Sequence, residues 1–395
     1  MRPTCGVGPD VSDTGSKAPA INHILTGQAF DALISRFQEA PLLAVDTEAA
    51  SFHRHKDRIY LIQLSSRDET AVVDPLAVHQ LSGLGTLLSN PAIEIIFHDA
   101  DYDLRILDRD YGFHAVNLFD TRIAAQLLNE PGIGLAALLE KYVGVKLDKR
   151  FQRADWSVRP LKPGMLQYAA DDTRFLPVLR DLLKERLVGA ERWSWAKEEF
   201  ELLEGVRWNT GGPPEEAYLR MKGARSLKGR QLAVLRALFE WRERIAAQLD
   251  RAPFRIVHND QLLAVAKAQP RNPATLQEAA RLSPDLLRRW GEGILGAVES
   301  GLAAPQSSIP VFERTRRPPP DPERDARLDR LKSARNAIAQ RLDLAPGVLC
   351  ANGLLEAIAN QKPHRPEELE AIPDMRRWQR EVLGKELIEA ASATS

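Results

Sequence analysis

The sequence predicts an α/β domain followed by two all-helical modules. Three observations carry that expectation. Short apolar runs of strand length crowd the first hundred residues. Beyond residue 217 no strand-like run remains, and helical periodicity takes over. Two stretches of that helical half also resemble each other, as a duplicated unit would.

Residues 22–40 place Ile24, Leu25, Phe30, Leu33, Ile34 and Phe37 at spacings of three and four, which predicts a helix. The apolar run 41–45 predicts a strand leading into Asp46-Thr47-Glu48. Residues 59–66 and 70–74, separated by a polar turn, predict two more strands, and 93–98 a fourth. Helices follow at 101–111, 119–129, 134–143 and 163–187. Early strands giving way to helices make this part α/β or α+β. The segment WNTGGPPEE, around 206–216, breaks helices and marks a boundary. Residues 217–303 are then helical, rich in Leu, Ala and Arg. Within 304–322, Pro318, Pro319 and Pro320 stand in a row and predict an extended, semi-rigid spacer. Residues 323–390 return to helix.

Each helical module runs through a long helix, an Ala-Pro turn, an apolar segment, a polar cap and a short Leu/Ala helix. The caps are Asn259-Asp260 and Asn352-Gly353. A repeat of roughly 80 residues is the size of a small domain. The expected units are therefore a tail at 1–20, an α/β domain at 21–206, helical modules at 213–303 and 323–395, and a linker at 304–322.

Composition narrows the function. The 395 residues are 44% hydrophobic and 27% charged, which excludes a wholly disordered, fibrous or membrane-embedded chain. Lys+Arg and Asp+Glu are both 54, which taken alone speaks against a strongly basic nucleic-acid binder. The average conceals a division: residues 1–210 hold 24 basic and 30 acidic side chains, residues 211–395 hold 30 and 24. The first helical module alone, 213–303, holds 15 basic against 10 acidic. Such asymmetry hints at nucleic-acid contact. Cys5 and Cys350 lie far apart and neither sits in a C-x-x-C pair, which speaks against a disulfide framework or a zinc site and for a reducing cytoplasm. No run reaches the 18 or so apolar residues of a membrane span. The first 20 residues lack an apolar h-region and read as a flexible tail rather than a leader.

Chemistry concentrates in the first half. Asp46 and Glu48 stand two apart at a strand end, so both face one side. Two carboxylates held together repel, and keeping both ionised calls for a cation; hard oxygen ligands suit Mg²⁺ or Mn²⁺ over zinc. The stretch HDADYDLRIL, 98–107, offers Asp99, Asp101 and Asp103 around a helix start, more acids than capping needs. In YAADD, 168–172, Tyr168 and Asp172 are four apart on a helix and share a face, while Asp171 points elsewhere.

The ordered series DTE, HDADYDL and YAADD resembles the DEDD exonuclease superfamily in its tyrosine-bearing subclass. The stretch 134–179 is similar to the ribonuclease D family, and the doubled helical modules resemble HRDC domains, with 227–246 matching the start of the first. The resemblance covers the chain from about residue 21 onward. It implies a ribonuclease-H-like α/β fold, a mixed sheet with helices around it, followed by two all-α HRDC domains. It implies Asp46, Glu48, Asp103 and Asp172 as metal ligands for two divalent ions, and Tyr168 as the residue that aims the attacking water. Asp103, five residues after His98, matches the second motif better than Asp99 or Asp101. Asp120 is read as a helix N-cap. The implied activity is release of nucleoside 5′-monophosphates from RNA 3′ ends, tRNA precursors among them, with no stable protein partner. Two other readings stay open: a 3′–5′ exonuclease acting on DNA, and a non-catalytic nucleic-acid-binding adaptor.

Basic residues then gain a role. Lys146, Lys149, Arg150, Arg153 and Arg159 lie between the second and third motifs, and Lys228 and Arg230 open the first helical module. Beside a cleft that admits RNA they are expected to contact phosphates. Trp156, Trp241 and Trp378 are expected to be packing residues.

Overall fold

A computed structural model describes residues 21–309, 311–312 and 321–393. The tail 1–20 and the proline run 318–320 lie outside the described residues. The first part folds around six strands: β1 (Ile21–Ile24), β2 (Leu42–Ala49), β3 (Ile59–Ser65), β4 (Thr70–Val73), β5 (Glu94–Phe97) and β6 (Leu118–Asp120). Their order is β1-β4-β3-β2-β5-β6. β3 runs antiparallel to β2 and β4, while β5 runs parallel to β2 and β6. Around the sheet stand α1 (Gly27–Phe37), α2 (Ser82–Leu88), α3 (Asp101–Tyr111), α4 (Thr121–Leu127), α5 (Leu135–Tyr142), α6 (Pro163–Arg174), α7 (Leu176–Gly189) and α8 (Trp193–Leu203).

Local chemistry accounts for where the elements begin and end. The helix expected over 22–40 starts later: residues 21–24 pair in parallel with β4, and Thr26 caps α1 by accepting from the Ala29 N–H at 3.2 Å. The run 119–129 is likewise split. Phe119 and Asp120 finish β6, and the Asp120 carboxylate then accepts from the Arg122 and Ile123 N–H groups at 2.8 and 3.0 Å, opening α4 as the N-cap anticipated. The run 163–187 breaks at Phe175, because Pro177 has no N–H to donate and its ring crowds the preceding turn. α2 and α8 add two helices to those expected, with Leu84, Leu87 and Leu88 in α2 and Trp193, Ala196, Phe200 and Leu203 in α8 at helical spacing.

The helical modules comprise α9 (Arg230–Leu249), α10 (Asn259–Ala268), α11 (Pro273–Ala280) and α12 (Pro284–Ala303), then α13 (Pro322–Arg341), α14 (Pro346–Leu349), α15 (Asn352–Gln361) and α16 (Arg377–Ser392). The same buried polar device recurs in both. Arg242 of α9 donates to Val257 O at 3.2 Å and Asn259 Oδ1 at 2.6 Å; Arg335 of α13 donates to Cys350 O at 3.0 Å and Asn352 Oδ1 at 2.7 Å. The sequence separations are identical, and both arginines are buried. The two asparagines thus serve the arginine of the long helix, not the capping role their position suggested. A buried guanidinium left without these acceptors would be costly, so the pair sets the angle between helices.

The modules dock differently. The second shares one continuous apolar core with the sheet domain. Trp378 stacks on Trp195 at 4.7 Å and 14° and donates to Glu199 at 2.9 Å, while Glu198 accepts two N–H groups at the start of α16. The first module keeps its own core and meets the sheet domain through polar contacts, Arg54–Asp250 at 3.3 Å and His55–Glu243 at 3.4 Å among them, and one aromatic contact, Phe52–Phe254. Trp156, Trp241 and Trp378 are all buried, as expected. No described helix is long and apolar enough to cross a membrane.

Candidate active site

Register builds the acidic site. β2 pairs with β5 only over Leu42–Ala44, so Asp46-Thr47-Glu48 reaches past the end of its parallel neighbour. β2, β5 and β6 all end at this same edge, where open α/β sheets hold their ligands. β3 supports the other side, with Asp46 opposite Gln63 and Glu48 opposite Leu61. α6 crosses above and presents Tyr168 and Asp172 from one face. One carboxylate oxygen each from Asp46, Glu48 and Asp172 lies within 4.8 Å of the others.

Asp103 stands just beside this trio. It occupies the first turn of α3, is buried, and accepts from the Thr47 hydroxyl. The neighbouring acids are engaged otherwise: Asp99 pairs with Arg122 at 2.8 Å and Asp101 with Arg105 at 2.7 Å. Asp171 is engaged by Gln167 at 2.8 Å and by Arg174 at 3.3 Å. Asp120 also accepts from the Ala100 N–H at 2.7 Å, so the cap of α4 pins the turn from which α3 and Asp103 depart.

Burial and crowding raise the affinity of these carboxylates for protons. Asp46, Glu48 and Asp103 are each held well above the usual carboxylate range, first by burial and next by a neighbouring carboxylate. Asp172 is pushed up to about 7 by burial and then by Asp171. Tyr168 is raised by burial and by the Asp172, Glu48 and Asp46 charges, so its hydroxyl keeps its proton. Its ring is wedged between Phe151 and Trp156, at 6.2 and 5.9 Å. The donor set fits a hard divalent cation, which would offset the repulsion the protein has built in.

This raised affinity has a measurable sign. Without a cation the folded chain binds more protons than the unfolded one, so stability falls as pH rises from the ordinary carboxylate range toward about 7. In EDTA, Tm is expected to fall across that window, and the increase in Tm on adding Mg²⁺ is expected to grow across it. A Mg²⁺ effect on Tm independent of pH would contradict the charge cluster.

A cleft of about 500 Å³ opens over the acids. Lys149 lines it, as do several residues the sequence reading passed over: His98, Arg122, Gln152 and the start of α5 at Gly134–Ala137. His98 is lowered to about 4 by burial and then by Arg122, so it stays neutral beside Thr121. Arg122 could have been suspected from its place just after the Asp120 cap. Gln152 has no sequence signal, since only the loop's path brings it there.

The other basic candidates divide. Lys146 and Arg150 are exposed, Lys146 pairing loosely with Glu140 at 3.4 Å and Arg150 closely with Asp148 at 2.6 Å; Arg153 lies over the Phe52 ring, and Lys228 is exposed. Arg159 departs from expectation. Its guanidinium grips buried Asp74 and the Tyr60 and Trp156 carbonyls, at 2.5–3.0 Å, so it braces the loop against the sheet. Arg230 is likewise turned inward, donating to the Ala304 carbonyl.

The family comparisons agree with this geometry. The 3′–5′ exonuclease family model matches residues 21–188, the sheet and every acid on it, and the HRDC domain model matches 231–298 and 324–390. The class is therefore a 3′–5′ exonuclease with paired HRDC modules. A ribonuclease D of Gluconacetobacter diazotrophicus is 31% identical over 370 residues, 92% of this chain and 91% of that protein. The crystal structure of Escherichia coli RNase D, an exoribonuclease involved in structured RNA processing, superposes with a TM-score of 0.69 at 26% identity, covering 94% of this chain and 98% of that one. The catalytic core of RRP6 from Trypanosoma brucei matches with a TM-score of 0.62 at 29% identity, over 72% of this chain and 80% of that one. The chain belongs to the ribonuclease D family, and as such is a 3′–5′ exoribonuclease, a hydrolase of phosphodiester bonds.

Proposed function

We propose that the protein hydrolyses RNA from its 3′ end to nucleoside 5′-monophosphates with two divalent ions, Mg²⁺ or Mn²⁺, and that its substrates include tRNA precursors and other structured RNA 3′ ends. The observation that carries this reading is the convergence of Asp46, Glu48 and Asp172 within 4.8 Å, with Asp103 and Tyr168 adjoining. Asp46, Glu48, Asp103 and Asp172 hold the ions. Divalent ions held there would supply the acidity that activates a water and the positive charge that offsets what builds on the phosphate and the leaving 3′-oxygen. Tyr168, still protonated, orients the attacking water from its place between Phe151 and Trp156. Lys149 at the cleft wall steadies a backbone phosphate, with Lys146, Arg150, Arg153 and Lys228 as outer contacts. The units that act are the nuclease domain, 21–206, and helical modules at 213–303 and 323–395.

The test is a 3′-trimming assay on a tRNA precursor and on matched RNA and DNA strands, with Mg²⁺, Mn²⁺ or EDTA. Shortening of the RNA with either metal and none in EDTA is expected. Preferential digestion of DNA would move the assignment to the DNA exonucleases. Tight RNA binding without mononucleotide release would make the chain an adaptor. Within the site, Tyr168→Phe is expected to lower kcat about 10²-fold, as a misplaced reactant can, while leaving the Mg²⁺ midpoint unchanged. A shifted midpoint with little change in kcat would make Tyr168 a support for the ligands instead.

A further inference from the structure

Where the nuclease domain meets the first helical module, two aromatic rings stand open to solvent. Phe52 is 52% exposed and Phe254 38% exposed, and their rings meet edge to face at 6.2 Å. Phe52 lies in the loop after β2, four residues beyond Glu48; Phe254 lies in the turn between α9 and α10. Arginines surround them. Arg153 lies over Phe52 at 5.8 Å, and Arg255 donates to the Phe52 carbonyl at 2.5 Å and meets His53 at 3.3 Å. The residues next to them in sequence, His53 and Arg255, line a second cleft of about 600 Å³ together with Arg54, Arg251, Asp155 and Asp250. Arg54 is balanced by Asp155 and Asp250 at 3.1 and 3.3 Å. Arg153 and Arg251 make no ion pair among the described residues. Arg153 covers one face of Phe52 and His258 tilts against Phe254 at 6.2 Å, which leaves each ring part-exposed. Part-exposed rings beside arginines that make no ion pair suit single-stranded nucleic acid, bases packing on the free ring surface and phosphates meeting the guanidiniums.

The patch continues the acidic cleft. Arg153 follows Gln152, which lines that cleft, and His53 Nε2 is 2.9 Å from the Arg153 carbonyl. Four residues of chain span at most about 14 Å, so Phe52 lies within about four stacked nucleotides of Glu48 at 3.4 Å each.

We propose that Phe52 and Phe254, with Arg153 and Arg251, form a stacking track for single-stranded RNA, built jointly by the nuclease domain and the first helical module and engaging the strand within about four nucleotides of its 3′ end. The track rests on the exoribonuclease reading above, but it can be tested without turnover. Binding of a single strand of about 12 nucleotides, well beyond that reach, is compared with binding of a dinucleotide, using the full-length protein in EDTA. Phe52→Leu is expected to weaken binding of the long strand at least about five-fold more than binding of the dinucleotide, as loss of one stacked base would, and Phe52→Trp to keep it. Leucine preserves most of the apolar contact with Phe254. A Phe52→Leu protein that binds the long strand like the parent would therefore reduce the rings to interdomain packing and overturn the track. Equal weakening for both lengths would overturn it too. Arg153→Gln with Arg251→Gln should lower the slope of log affinity against log salt by about 1.4, two single-strand phosphate contacts; an unchanged slope would remove the arginines from the track. Failure of the parent protein to release mononucleotides would count against the exoribonuclease reading alone.

Discussion

Asp46→Asn is expected to reduce RNA hydrolysis about 10³-fold or more, since correctly held cations contribute several kcal/mol to the transition state. Asp46 lies at the centre of the charge: Glu48, Asp172 and Asp103 all crowd toward it. Asparagine keeps the shape and removes one charge, so the fold should persist. In EDTA the variant should melt at a higher temperature than the parent above about pH 7, because one source of repulsion is gone. With Mg²⁺ present the order should reverse, because the parent alone gains from bound cation. Monitoring Tm and single-turnover rate on the same preparations separates a lost ligand from a damaged fold. Retained activity in Asp46→Asn would remove the residue from the metal-holding set.

Arg159→Ala is expected to act on stability and leave the salt dependence of RNA binding alone. Its guanidinium satisfies both oxygens of Asp74, whose side chain is 3% exposed, and closes two carbonyls of the surrounding loop and strand. Removing one partner of a buried pair leaves the other charge stranded, at about 3–5 kcal/mol. A quarter of the Arg159 side chain remains in water, which places the expected loss near the lower end, about 3 kcal/mol. Denaturant unfolding measures it. A stability loss under about 1 kcal/mol together with a flatter salt dependence would return Arg159 to the phosphate contacts.

That residue also marks what the sequence could and could not tell. Strand and helix periods made legible that Asp46 shares a face with Glu48 and Tyr168 with Asp172, and β2 and α6 formed there; that the two pairs belong to one site was implied by the family resemblance. Asp120 was legible because a carboxylate before a helix has few better uses than capping it. Arg159 was not, because its buried partner Asp74 lies 85 residues earlier and only tertiary structure joins them. Gln152 was missed for the same reason: only the path of its loop brings it to the cleft. The edge strand β1 escaped because its pairing with β4, not its own pattern, makes it a strand. Arg242 read as one of the dense basic residues of a substrate-holding module, and Arg335 passed unread, since a charge on a long helix ordinarily faces solvent; both are buried.

The central claim is that the acid cluster removes nucleotides one at a time from RNA 3′ ends with divalent cations. The most direct measurement uses an RNA strand labelled in its 3′-terminal nucleotide, mixed with the protein and Mg²⁺, with products resolved over time. The account predicts that labelled nucleoside 5′-monophosphate appears first and without lag, that EDTA abolishes it, and that Asp46→Asn does not produce it. Label appearing first in longer fragments, or released equally in EDTA, would contradict it.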